Sequence, residues 1–281
     1  MKHRLGHWGR ATALVMALAP SPALAAEPAT RRVELRYDTS ESLFLIGSSL
    51  YVSALFQFVV NPKVADECQW CEPPAFDRDA RDALVSDDTQ TMHTAGNHTA
   101  FSLAPASAFG LTAWAAAHDG RWDEFWENNL IIAEATSTTV ALTQAVKPWV
   151  ARERPAVRYR VHEWERYGPS EKNASFFSGH SSFAFALAVS SGTVSSLRGY
   201  RLASVVWAVG LPVAAFTAYS RVAADAHYLS DVLVGTAFGA GMGFALPYFS
   251  HAPTSRSVVA TWRPMLLPVQ GGAQAGVGGV F

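Results

Sequence analysis

The chain has 281 residues and a formal net charge of −1, with 22 Lys and Arg against 23 Asp and Glu. That balance excludes the strongly basic footprint of a nucleic-acid-binding domain, and the length suffices for a domain of about 100–250 residues with a real core. Hydrophobic residues make up 49% and charged residues only 16%, against about 25% charged in an ordinary soluble domain, so a membrane reading has to be weighed.

Residues 1–25 read as an export signal: a basic start (Lys2, Arg4, Arg10), an apolar run from Ala11 to Ala19, and Ala23-Leu24-Ala25 as a small-x-small cleavage site. The mature chain is then expected to begin near Ala26. An uncleaved signal anchor is the alternative, which Pro20 and Pro22 disfavour. In the extension 26–41 the residues Val33, Leu35 and Tyr37 alternate as in a short strand.

Six apolar segments follow, Ser42–Val60, Ala100–Ala117, Leu130–Val146, Ser181–Leu197, Ala203–Tyr219 and Asp231–Phe249, each long enough for a helix of four or five turns. They predict an all-α bundle of about six main helices over residues 42–250. Between the first two lies an acidic stretch, Asn61 to His98, read as a loop. It contains Cys68 and Cys71, whose spacing suits a local disulfide better than a catalytic redox pair or, with His93 and His98, a zinc site. In the sixth segment Gly235, Gly239 and Gly243 recur every fourth residue and offer a flat face to a neighbouring helix. The tail, residues 251–281, has strand-like runs around a Gly-Gly turn and predicts a short terminal β-hairpin. Trp122, Phe125 and Trp126 share one helical face, which reads as core before it reads as an apolar entry for a lipid tail.

Glu134, Gln144 and Pro105 interrupt several of these segments, whereas a span needs about 20 predominantly apolar residues. If the signal is cleaved outside and all six helices cross, the loop from Lys147 to His180 falls on the cytoplasmic side, and so does the acidic stretch, which runs against the preference for Lys and Arg there. The preferred reading is therefore an exported bundle in the periplasm or cell envelope, soluble or peripheral, with an integral membrane protein as the alternative.

Three clusters carry chemistry. "KPWVARERP" holds Lys147 and Arg154, "SGH" is Ser178 to His180, and "SRVAADAHYLSD" holds Ser220, Arg221, His227 and Asp231. In an up-and-down bundle they share one end. Three cations gathered there would repel one another without an anion between them, and arginine's fork suits phosphate oxygens. Ser178 and Gly179 precede a helix, so a hydroxyl and exposed N–H groups point at the same place. His227 and Asp231 stand four apart, so the carboxylate is expected to hold one ring nitrogen while the other faces phosphorus as a nucleophile. His180 across the pocket is expected to donate to the leaving oxygen. Taken alone, Arg152, Glu153 and Arg154 read as a solvated loop, His180 as a helix cap, and the His–Asp pair as a structural hydrogen bond. Their joint order and spacing favour the site.

These residues resemble the type 2 phosphatidic acid phosphatase superfamily, which includes bacterial acid phosphatases and vanadium haloperoxidases. Its pattern is Lys, six residues, Arg-Pro; Pro-Ser-Gly-His; then Ser-Arg, five residues, His, three residues, Asp. Lys147, Arg154 and Pro155 match the first part, Ser220, Arg221, His227 and Asp231 the third, and Phe177-Ser178-Gly179-His180 the second, with phenylalanine in place of proline. The resemblance implies a metal-independent phosphohydrolase without a cofactor, acting on a phosphomonoester or lipid (pyro)phosphate through a phosphohistidine. It implies His227 as nucleophile, Asp231 as its partner, His180 as acid and then base, and Lys147, Arg154, Ser178, Gly179 and Arg221 as the phosphate holders. A vanadium-dependent haloperoxidase and a non-catalytic lipid-binding envelope protein are the competing readings. Substrate identity and oligomeric state stay open.

Overall fold

A computed structural model describes residues 32–161, 165, 167–168 and 171–253, together with the backbone of 263–269 and 272–278. The expected signal, residues 1–25, lies outside the described residues, as does the start of the extension. Segment 32–38 is not a strand. Among the described residues no strand lies beside it; instead Arg121 and Arg198 both donate to the Val33 carbonyl and fasten the segment to the bundle.

The helices are α1 (Thr39–Val64), α2 (Ala75–Leu84), α3 (Thr89–His118), α4 (Phe125–Val150), the single turn α5 (Pro155–Arg158), α6 (Gly179–Arg198), α7 (Ala203–Ala223) and α8 (Leu229–Ser250). All six apolar segments form helices, mostly longer than the apolar runs because polar caps extend them. Asp38 caps α1 by accepting from the N–H groups of Ser40 and Glu41, and Asp88 caps α3 through Thr91. α1, α3 and α8 each contain one wide turn, at Phe56–Val60, Thr99–Leu103 and Leu246–Ser250. Pro62, Pro105 and Pro247 lie at these turns, and their missing N–H groups interrupt the regular ladder.

The acidic stretch is not a continuous loop. It contains α2 and the first turns of α3, because buried partners rather than apolar periodicity stabilise them: Asp77 of α2 is fully buried under Arg152. Strands β1 (Arg263–Val269) and β2 (Gly272–Gly278) form the expected antiparallel hairpin, with Val269 opposite Gly272.

Helix α6 is central, with α3, α4, α7 and α8 packed around it, and α1 leans on α4. Ile131, Ile132, Ala184, Leu187 and Val194 lie in the main core. The glycine face of α8 meets α6 backbone: a Cβ on Gly239 would lie 2.1 Å from the Ser182 carbonyl oxygen, and one on Gly235 2.6 Å from that of Ser178. This close approach brings the start of α6 against the start of α8.

Four helices among the described residues, α1, α3, α7 and α8, are long and apolar enough to cross a membrane. The most apolar window of α1 is only 6% buried. The preference for a soluble bundle finds no support in these outward apolar faces; they support the membrane alternative. Trp122 and Trp126 are 58% and 71% exposed, so the aromatic stripe is not core. It stands at the start of α4, away from the three motifs, and Trp149 stands exposed at the other end.

Candidate active site

The C-terminal ends of α4 and α7 and the N-terminal ends of α3, α6 and α8 meet at one end of the bundle. Lys147, Arg154, Gly179, His180, Arg221 and His227 all line one cavity there, of about 720 Å3. Ser178 and Asp231 stand behind its wall. These six lining residues come from all three motifs.

Hydrogen-bond roles settle the tautomer of His227. Its Nδ1 lies 2.8 Å from the Ser175 carbonyl oxygen, which can only accept, so Nδ1 carries the proton. Its Nε2 lies 3.0 Å from Nη1 of Arg154, which can only donate, so Nε2 presents a lone pair. His227 is 3% exposed, and burial, with Arg154, Lys147 and Arg221 nearby, holds its pKa well below the ordinary histidine value. The ring is therefore a neutral nucleophile candidate.

The expected His227–Asp231 hydrogen bond is not formed. Nδ1 is 3.7 Å from Oδ2 of Asp231 and bonds the Ser175 carbonyl instead. The reason lies at the start of α8. The helix begins at Leu229, after His227, and Asp231 caps it by accepting from the Tyr228 N–H at 3.0 Å. Asp231 also accepts from the Ser175 hydroxyl at 2.6 Å and from Arg152 at 2.5 Å. It thus holds His227 through Ser175, one residue removed.

Arg152, read as part of a solvated loop, is 1% exposed. Its guanidinium donates to Asp231, to Ser230 at 2.8 Å and to Asp77 at 2.6 Å, and lies between the Trp70 and Tyr228 rings at 3.7 and 4.3 Å. Trp70 is held there by the Cys68–Cys71 disulfide loop, whose Gln69 and Trp70 N–H groups bond to the Ala151 carbonyl. The cysteines are thus joined to each other, and no group of three or more His, Cys, Asp or Glu among the described residues is arranged to hold a metal ion.

Ser178 differs from expectation. Its hydroxyl is fully buried, caps α6 and accepts from the Ser181 hydroxyl at 2.9 Å, so it does not reach the cavity. The start of α6 still offers N–H groups beside Gly179. Phe177, in the position where proline is usual, is buried against Phe238 of α8 with ring centres 5.0 Å apart. Ser220 is buried against Gly96 of α3, its hydroxyl donating to the Thr217 carbonyl.

The cations are oriented by carbonyls. Lys147 donates to Ala174 at 2.8 Å, and Arg154 to Ala226, Ala174 and Glu171. Tyr167 stacks on Arg154 at 4.7 Å and, with Glu171, forms part of the cavity wall. Nothing in the sequence marks these two. The site also draws Asn97 from α3, which accepts from Arg221 at 3.2 Å and contacts His180 at 3.0 Å.

Beyond the cations the cavity continues between α1, α3, α4 and α6. Lys147 and Ala133 both line it, so it extends about 21 Å along α4 at 1.5 Å per residue. Ile46, Leu50, Phe101, Phe109, Val140 and Phe183 make this part apolar.

Comparison with known proteins agrees with the motifs. The PAP2 superfamily model matches residues 128–255. Among solved structures, the chain is similar to a transmembrane PAP2-type phosphatidylglycerolphosphate phosphatase from Bacillus subtilis. Identity is 20%, coverage is 75% of this chain and 96% of that one, and the TM-score is 0.45. No curated protein matches.

Proposed function

We infer, from a chain whose residues 128–255 match the PAP2 superfamily, a membrane-embedded phosphohydrolase that removes the terminal phosphate of a lipid-type phosphate ester through a phosphohistidine on His227. The observation that carries this reading is one continuous cavity with a cationic, histidine-bearing head and an apolar shaft. A phosphate fits the head, where Lys147, Arg154 and Arg221 replace its water. A hydrocarbon tail fits the shaft, whose length of about 21 Å exceeds what a small soluble ester would use.

Membrane placement is supported by the exposed tryptophans of α4. Trp126 and Trp149 are separated by 23 residues, about 35 Å at 1.5 Å per residue. That matches the about 30 Å hydrocarbon core with a ring at each interface.

In the first step Arg154 gives up its hydrogen bond to Nε2 of His227 for a phosphate oxygen, the freed Nε2 lone pair attacks phosphorus, the bond to the leaving oxygen breaks, and His180 delivers a proton to that oxygen. The three cations stabilise the charge on the transferring phosphoryl group. In the second step a water attacks phosphorus, its proton passes to His180, and the phosphorus–nitrogen bond breaks, releasing inorganic phosphate. The starting protonation state of both rings is thereby restored.

The test is phosphate release from a detergent-solubilised lipid phosphate in EDTA. We expect turnover by the native chain, radiophosphate retained on the quenched protein, and loss of both in His227→Ala. Undiminished turnover in His227→Ala would sink the mechanism.

A further inference from the structure

We propose that Asn97 of α3 is a positioning residue that fixes which nitrogen of His180 exchanges its proton, committing Nε2 to the protein and leaving Nδ1 for the substrate. The inference rests on the phosphohydrolase reading above and goes beyond the three motifs, none of which includes α3.

The argument starts from Arg221. Guanidinium groups only donate, so the Asn97 atom 3.2 Å from its Nη1 is the amide oxygen, which fixes the orientation of the amide. The same oxygen lies 3.0 Å from Nε2 of His180. An amide oxygen only accepts, so Nε2 must carry a proton in both the neutral and the charged ring. In the neutral ring Nδ1 is then the bare nitrogen, and Nδ1 alone gains and loses the proton used in the reaction. One turn further along α3, Phe101 packs edge-on against the His180 ring with centres 4.9 Å apart, which keeps the ring in that plane.

Close packing of α3 on α7 side chains makes this possible. A Cβ on Gly96 would lie 2.3 Å from the Ser220 hydroxyl and 2.9 Å from Nη1 of Arg221. Glycine at this position leaves room for the Ser220 and Arg221 side chains beside Asn97. His180 and His227 are therefore held in opposite tautomers, each fixed by groups whose hydrogen-bond sense cannot change. His227 is held by a carbonyl and an arginine; His180 is held by an amide that an arginine has oriented.

A neutral amide suits the surroundings. Burial first, and then Arg221 of α7, His227, Arg154 and Lys147 of α4 around the ring, hold the His180 pKa well below its ordinary value. His93 of α3 and Glu171 also line the cavity. An acceptor without charge favours the imidazolium modestly, so His180 can take a proton when phosphate enters and release it to the leaving group.

The experiment compares two substrates that differ in their need for an acid. An alkyl phosphate leaves as an alkoxide and needs the proton; p-nitrophenyl phosphate leaves as a stabilised phenolate and needs it little. In Asn97→Leu we expect turnover of the alkyl ester to fall at least tenfold further than turnover of the aryl ester, within the 10²–10⁴ that general acid catalysis supplies. Displacement of Arg221 alone would lower both equally, and equal losses overturn the proposal. Asn97→Asp, of the same size, covers a folding failure of the leucine variant. Its carboxylate should restore alkyl turnover and move the alkaline limb of the kcat profile upward by about one pH unit or more. An unmoved limb also overturns the proposal. His180→Ala and His227→Ala are measured beside these, and if either matches the native chain the phosphohydrolase reading itself falls, independently of Asn97.

Discussion

Replacing Arg152 by methionine tests whether the network behind the cavity holds the nucleophile. The substitution keeps most of the side-chain length and removes three hydrogen bonds, to Asp231, Asp77 and Ser230. Both carboxylates are fully buried, so each loses a compensating charge where water cannot replace it. Breaking a buried pair of this kind costs about 3–5 kcal/mol of stability. For activity, a hydrogen bond to a charged group is worth about 1.5–3 kcal/mol. If the Arg152–Asp231 bond acts wholly in keeping Ser175, and so His227, in place, its loss lowers kcat by about 10–100-fold. Arg152→Lys should recover the charge but not the planar fork that reaches two carboxylates and fits between two rings, and is expected to fall between the two. The assays are thermal unfolding in detergent and phosphate release at saturating substrate. A methionine variant with native unfolding temperature and kcat within twofold of the native chain would refute the reasoning.

Four further outcomes are expected. Ser178→Ala should cost about 1 kcal/mol as a lost cap with KM within threefold of the native value; a tenfold rise in KM would place the hydroxyl on the phosphate after all. Gly239→Leu should force α8 from α6 and destabilise by about 1–3 kcal/mol or more, since overpacking at a backbone contact cannot be relieved by a rotamer change; normal stability would show that the helices are not in contact there. Both site histidines have depressed pKa values in the fold, so the unfolded chain binds more protons below about pH 6.5, and stability should be lost as pH falls through that region by up to about 1.4 kcal/mol per pH unit for each ring. Unfolding temperatures across pH 5–8 check this, and a flat profile would contradict two buried neutral rings. Replacing both cysteines by serine opens only a short loop, worth about 2 kcal/mol in chain entropy, yet should also lower kcat by freeing Trp70 from Arg152; stability loss with unchanged kcat would separate the disulfide from the site.

The residues that line the head of the cavity were legible because their spacing is tied to helix ends. Lys147 closes α4, His180 opens α6, and Arg221 and His227 flank the turn between α7 and α8, so an up-and-down bundle of apolar segments already places them together. Arg152 was not legible, because a buried arginine between two carboxylates and a surface arginine in a charge run look the same in "ARER". Its burial depends on Trp70 and Asp77, about 80 residues earlier. Helix α2 is hidden for a related reason: "AFDRDARDAL" is short and half charged, and its Asp77 finds its partner only in the folded bundle. Periodicity alone assigns Trp122 and Trp126 to the core, because it reports that a face is apolar without reporting whether protein or lipid covers it.

The same distinction explains why Asp231 acts one residue away from where its spacing suggests. Four residues place two side chains on one face only if both lie within the helix, and α8 starts two residues after His227. An aspartate at the third position of a helix is drawn to the free N–H groups of the first turn, and here the Tyr228 N–H and the Ser175 hydroxyl take one of its oxygens while Arg152 takes the other. Ser175 then presents its carbonyl to the histidine. A direct carboxylate contact would favour the charged ring, whereas a carbonyl fixes the tautomer with less pull on the proton. Among three cations that already favour the neutral ring, this arrangement preserves the lone pair on Nε2, which the proposed attack on phosphorus requires.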